Sequence, residues 1–171
     1  EGTTVPQLPL EVIDKGWTRP VSPETCVGGV SHQGQSGLFA MALNQAIPGG
    51  KTLTGRKSWL FADNRVLCLG SDLTCDEAQV PTQTTLCQKR LSQDDKGAFV
   101  PTMLDGTALT AFPAVESPDP AKAHWFLDVQ QTGYVLPAGQ KLTVARQHQR
   151  SREYSDLGDT EGDFLTAWLD H

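Results

Sequence analysis

Basic side chains are scarce. Lys and Arg total 14 against 20 acidic residues, the net charge is -6, and no run of Lys or Arg occurs anywhere in the 171 residues. Binding to nucleic acid needs a clustered basic surface that displaces phosphate counterions, so this balance argues against that partner. No stretch approaches the roughly 20 apolar residues that span a bilayer as a helix, which argues against a membrane partner. The opening Glu1-Gly2-Thr3-Thr4 has neither the basic start nor the apolar centre of a signal peptide. If the protein is exported, its leader was removed earlier or the chain begins inside a longer precursor. Cys26, Cys68, Cys75 and Cys87 match no zinc spacing and form no C-x-x-C, so neither a metal nor a redox cofactor is expected. Cys68, inside Val66-Leu67-Cys68-Leu69, reads as a buried free thiol, whereas Cys75 and Cys87 flank a polar loop and could pair in an oxidising compartment. Helical periodicity is missing too, since no window sustains a 3.6-residue repeat.

What is present is a succession of short apolar, β-branched runs punctuated by Gly and Pro. Residues 1–26 form a Pro-rich extended lead-in with one short strand, packing on a body that spans 27–171. A glycine-rich passage around His32-Gln33 runs into a strand with Phe39, Met41 and Leu43 on one face. Pro48-Gly49-Gly50 is a turn. The clearest hairpin joins Ser58-Trp59-Leu60-Phe61 to Arg65-Val66-Leu67-Cys68-Leu69 across Ala62-Asp63-Asn64, with both arms apolar on both faces, as suits a central strand between stacked sheets. Thr82 to Cys87 alternates as another strand, 92–122 is polar with a turn at Asp105-Gly106, and a second hairpin joins His124–Val129 to Tyr134-Val135-Leu136. Leu142 to Ala145 is a strand, 147–163 a polar stretch, and Phe164 to His171 a terminal strand without a trailing loop, which suggests a chain truncated at its C-terminal end. The expected fold is therefore all-β, an antiparallel β-sandwich with little or no helix.

Candidate chemistry is thin. Gly34-Gln35-Ser36-Gly37 fails the G-x-S-x-G nucleophile pattern because Leu38 holds the last place, so a glycine turn is the better reading. Asp156, Asp159, Glu161 and Asp163 lack the order of a calcium loop and read as a solvated loop. His148 with Arg146, Arg150 and Arg152 is the one modest basic cluster, able to meet a sulfate or carboxylate but more simply a solvated loop. Trp59 and Trp125 fall at core-like strand positions and read as packing rather than sugar platforms, while Trp17 and Trp168 stay open. The residues alone support an extracellular β-sandwich and no enzyme.

A resemblance adds more. Val27-Gly28-Gly29-Val30-Ser31 resembles the F-x-G-G-V-S segment of polysaccharide lyase family 8, the chondroitin and hyaluronan lyases. Leu53 to Ser71 resembles that family's L-x-A-K-K-S-W-F-F-F-D-x-x-I-V-C-L-G-x-x-I hairpin, with Gly55 replacing the usual Ala and Ala62 interrupting the aromatic run. Pro81 to Leu86 with Gln88 is similar to its T-x-T-T-L strand, Trp125 with Gly133-Tyr134-Val135-Leu136-Pro137 to its W…G-Y-x-F-P hairpin, and Phe164 to His171 to F-x-x-W-x-x-H-G. The blocks occur in the family's order, although the segment near Pro48 is longer. The Gly2-Thr3-Thr4 opening and the Thr84-Thr85-Leu86 strand lean toward the ABC-type enzymes.

The resemblance implies a segment of the central supersandwich of a secreted bacterial lyase, extracellular or periplasmic. Such an enzyme acts on an acidic polysaccharide by β-elimination at uronic acid and needs no cofactor. It also implies partners within the same enzyme, an N-terminal helical toroid and further C-terminal strands. The family's catalytic Tyr, His and Arg lie in that toroid, with an assisting Glu and Asn before the Gly-Thr-Thr block. Neither Tyr134 nor Tyr154 matches the catalytic Tyr motif, so no catalytic residue is expected here and the segment alone should be inactive. His32, Gln33 and Arg56 are the candidates for facing substrate. The competing readings are a stand-alone carbohydrate-binding sandwich, which needs an exposed aromatic platform, and a structural or adhesive domain without glycan affinity.

Overall fold

The computed structural model describes residues 2–9, 11–12, 21–152 and 158–171. Thirteen strands follow one another: β1 (Thr3–Pro6), β2 (Val27–His32), β3 (Ser36–Ile47), β4 (Lys51–Ala62), β5 (Arg65–Cys75), β6 (Thr82–Arg90), β7 (Thr102–Leu104), β8 (Thr107–Leu109), β9 (Ala114–Glu116), β10 (His124–Leu127), β11 (Gly133–Leu136), β12 (Lys141–Arg152) and β13 (Asp159–Asp170). Helix is confined to residues 11–12 among those described. The all-β, antiparallel expectation holds.

The chain divides into two compact units, Glu1–Thr4 with Gln83–His171, and Val5–Thr82. The first is a sandwich. A sheet of order β1-β6-β13-β12-β9 faces a smaller one of order β11-β10-β7-β8. Cys87, Leu142, Val144, Leu165 and Ala167 from the larger sheet interlock with Leu104, Phe126 and Leu136 from the smaller, forming one apolar core. Phe126 stacks on Tyr134 with ring centroids 4.4 Å apart. Asp128, fully buried, closes the β10–β11 loop by accepting the amides of Gln130 and Thr132 at 2.8 and 2.9 Å.

The second unit carries a four-stranded sheet of order β2-β3-β4-β5. Its hairpins close where turn chemistry demands. Asp63 and Asn64 take φ of 48° and 60° between paired Ala62 and Arg65, the left-handed pair that a two-residue hairpin loop requires. Asp105 and Gly106 do the same between β7 and β8. Gln33 and Gly34 turn β2 into β3, so the Gly-Gln-Ser-Gly segment is a turn leading into a strand, as expected.

Several expectations need correction. Within the polar stretch 147–163, residues 147–152 and 159–163 are strand rather than loop, because β12 and β13 pair continuously from Lys141↔Asp170 to Arg152↔Asp159. Polar side chains do not end a strand whose opposite neighbour satisfies them. Asp159, Glu161 and Asp163 accordingly sit on β13, while Asp156 and Tyr154 lie outside the described residues. The polar region 92–122 contains β7, β8 and β9. Cys68 is exposed rather than buried, and β5 is an outer strand rather than a central one. Trp125 is 40% exposed, not a core residue, because β10 turns Phe126 inward and Trp125 outward. None of the four cysteines is in a disulfide, and Cys87 lies in the core.

Candidate functional site

The β2–β5 sheet is apolar on both sides over its Trp59 half. Cross-strand register places Val27, Phe39, Met41, Trp59, Phe61, Val66 and Cys68 on one face. Val30, Leu38, Leu60, Leu67 and Leu69 share the other. Both faces stay open: Val30 is 67% exposed, Leu69 56%, Phe61 44% and Val66 54%. The double-sided apolar hairpin read from sequence is therefore real, but no layer among the described residues covers it. Trp59 is half-buried by its own face, with Phe39 tilted against it at 5.6 Å and the Lys57 ammonium 5.9 Å from the ring centroid. Lys57 is itself buried, and that burial pushes its pKa below the ordinary lysine value.

His32, Gln33 and Arg56 are not assembled into a site. His32 is an exposed residue at the end of β2, aligned through Ser36 with Ala62 on β4, and Gln33 is the first turn residue beyond it. Arg56 lies on the same face of the sheet, but the strand between Ala62 and Arg56 spans about 20 Å at ~3.3 Å per residue. Leu60 lies between them on that face. Arg56 is also committed locally. Its Nη1 donates to Asp72 Oδ2 at 2.7 Å, and Asp72 (φ 54°) is the left-handed residue of a β-bulge opposite Gly55. Gly55 leaves room there for Leu73, since a Cβ would meet Leu73 Cδ2 at 2.5 Å and its Cα at 3.3 Å and the leucine would have to shift.

Arg146, His148 and Arg150 of the basic cluster are each engaged locally. Arg146 is fully buried, which overturns its reading as a solvated loop residue, and its Nη1 donates to the Val100 carbonyl at 2.9 Å. His148 lies 2.9 Å from Asp163 and 3.5 Å from Glu161, and Arg150 lies 3.1 Å from Glu161. The Asp163 hydrogen bond chiefly raises the His148 pKa, with Glu161 assisting. Trp168 is half-buried with its indole nitrogen enclosed, and Trp17 and the Arg152 side chain lie outside the described residues. No group of three or more His, Cys, Asp or Glu able to hold a metal occurs among the described residues.

Sequence reading missed the most tightly organised polar group. His124, at the start of β10, places Nδ1 2.6 Å from Asp105 Oδ2 and Nε2 2.7 Å from the Asp119 carbonyl. The available signal was a histidine at the inward parity of His124-Trp125-Phe126-Leu127, a polar residue at a core position that must find partners.

One unit thus carries a sheet apolar on both faces and the other a sandwich, and among the described residues the polar groups named above are engaged locally. The chain is 30% identical over its full length to 17% of a chondroitin sulfate ABC endolyase from Proteus vulgaris. It is 30% identical, over 99% of its length, to 21% of a hyaluronate lyase from Thermasporomyces composti. A chondroitin sulfate ABC exolyase from Bacteroides thetaiotaomicron is 30% identical over 88% of the chain and 13% of its own length. The chain thus spans about a fifth or less of these relatives. The family model described as polysaccharide lyase family 8, super-sandwich domain, matches residues 1–171, and the chain belongs to that family.

Proposed function

We propose that this chain is the super-sandwich portion of a secreted bacterial glycosaminoglycan lyase, acting on chondroitin sulfate or hyaluronan, and that it braces the cleft rather than performing the chemistry. Elimination at uronic acid requires a group that neutralises the carboxylate, a base for the C5 proton and an acid for the leaving oxygen. The observation that carries the supporting role is the engagement of the candidate polar groups here. His124 is sequestered between Asp105 and Asp119, His148 is ion-paired, Tyr134 is stacked on Phe126, and Arg56 holds Asp72. The uncovered faces around Trp59 and Leu60 suit contact with further parts of the same enzyme, a helical toroid and additional strands. An extracellular or periplasmic location follows from the polymeric substrate.

The test is to incubate the complete protein with chondroitin sulfate and with hyaluronan and follow near-ultraviolet absorbance from the new double bond. Turnover is expected from the complete protein and not from the 171-residue chain alone. Absence of unsaturated product from the complete protein refutes the lyase reading. Activity in the isolated chain refutes the supporting role.

One observation favours a second reading. Trp125, outward-facing and paired with the 84% exposed Val135, offers an aromatic surface of the kind a carbohydrate-binding module uses. Glycan binding by the isolated chain that disappears in Trp125→Ala would support it.

A further inference from the structure

We propose that His124 is a proton-operated latch that fastens the loop around Asp119 to the β10–β11 hairpin and releases it when the imidazolium loses a proton. The geometry requires charge. His124 is 6% exposed, and its two ring nitrogens each face an oxygen that cannot donate, the Asp105 carboxylate at 2.6 Å and the Asp119 carbonyl at 2.7 Å. Both nitrogens must therefore carry hydrogen.

The two acceptors belong to different connections. Asp105 is the first residue of the β7–β8 turn, and it is fixed to β10 independently of His124. Its Oδ1 accepts the Trp125 amide at 2.9 Å and its own amide donates to the Trp125 carbonyl at 3.0 Å. Asp119 lies in the exposed connection before β10. Its carbonyl also accepts the Lys122 amide at 3.1 Å and its carboxylate accepts the Ala121 amide at 3.0 Å. The neighbouring Pro120 carbonyl accepts the amide of Gly139, in the β11–β12 connection, at 2.7 Å. The imidazolium thus joins a fixed turn to a loop that has few other ties.

The charged groups acting on His124 are Asp105 and Asp119, and its cross-strand neighbour on β11 is the apolar Leu136. The Asp119 carbonyl and the Asp105 carboxylate hold the His124 pKa above its ordinary value against the opposing effect of burial. The Trp125 amide and His124 hold the Asp105 carboxyl below its own. When the remaining proton must choose, Nδ1–H keeps the carboxylate and the bare Nε2 faces the Asp119 carbonyl lone pair, a repulsive contact at an imidazole that is itself buried. The loop side gives way. The latch is closed between the depressed Asp105 pKa and the raised His124 pKa and opens as pH rises through the latter, above about 6.5.

The experiment is a pH titration of the ¹⁵N-histidine-labelled protein by NMR, with the His124 signals assigned from His124→Gln and amide hydrogen exchange followed in parallel. The expected result is a His124 midpoint above about 6.5, an Nδ1–H tautomer beyond it, and faster exchange at Ala121, Lys122 and Gly139 with the same midpoint, while the Trp125 amide stays protected. Asp105→Asn should lower the midpoint. A midpoint at or below the ordinary histidine value, an Nε2–H tautomer, or a titration that leaves those three amides unchanged would overturn the latch. The wild-type titration decides the matter even if a variant fails to fold.

Discussion

Arg146 Nη1 donates to Thr102 Oγ1 at 3.2 Å across the two sheets of the sandwich, and neither residue has any exposed surface. Nε and Nη2 of the same guanidinium are buried without a partner among the described residues, and burial pushes the arginine pKa below its ordinary value. A cation in this position is costly to desolvate. Arg146→Ala leaves a cavity and strips the Val100 carbonyl and Thr102 hydroxyl of their donor, so urea denaturation should report a loss of about 3 kcal/mol. Arg146→Met fills the volume without the charge, and should lose less than half as much. Equal losses would show that the charge itself is needed.

Gly55 and Leu73 share one space at the β4–β5 bulge. Gly55→Ala should lower stability by about 1 to 2 kcal/mol through overpacking. Adding Leu73→Ala should give a smaller loss than the two single changes summed, read from a double-mutant cycle of thermal melts. Additive losses would contradict the shared space.

His148 titrates on the sandwich surface between Asp163 and Glu161. Its raised pKa means that the contribution of its charge to stability is full below about 6.5 and is lost as pH rises through the folded-state value. Asp163→Asn should move the NMR midpoint down more than Glu161→Gln, because the shorter contact is to Asp163. Because these groups are exposed, raising salt to about 1 M, where the Debye length is ~3 Å, should shrink both effects.

The open faces around Leu60 and Phe61 make the isolated chain prone to self-association. Light scattering should show oligomers that diminish when Leu67 and Leu69, exposed on the outer strand β5, are replaced by Lys and Glu. A monomer with cooperative unfolding would refute this.

Alanine at His32, Gln33 or Arg56 should leave turnover by the complete protein within a few-fold of wild type. The Arg56–Asp72 pair is exposed, so its loss should cost no more than about 1 kcal/mol. A fall of a hundredfold or more in kcat/KM for any of the three would place that residue in the cleft.

Class and punctuation were legible in the residues themselves. Alternation in the Phe39, Met41 and Leu43 strand and in Thr82–Cys87, together with Asp63-Asn64 and Asp105-Gly106 at turns, led to antiparallel hairpins because period-two patterning and left-handed turn residues act locally. Strand length was not legible in β12 and β13. There Gln147, His148 and Arg150 look like loop until Phe164, Asp163 and Glu161 are seen opposite them, some 11 to 17 residues later.

The sequence by itself determined an all-β chain with a hairpin apolar on both faces, since side-chain parity along a strand needs no knowledge of the neighbours. Only the tertiary structure decided which positions face a partner. It buried Arg146, exposed Cys68 and Trp125, and enclosed His124 between two acceptors, because burial and pKa depend on what other strands bring within hydrogen-bonding distance.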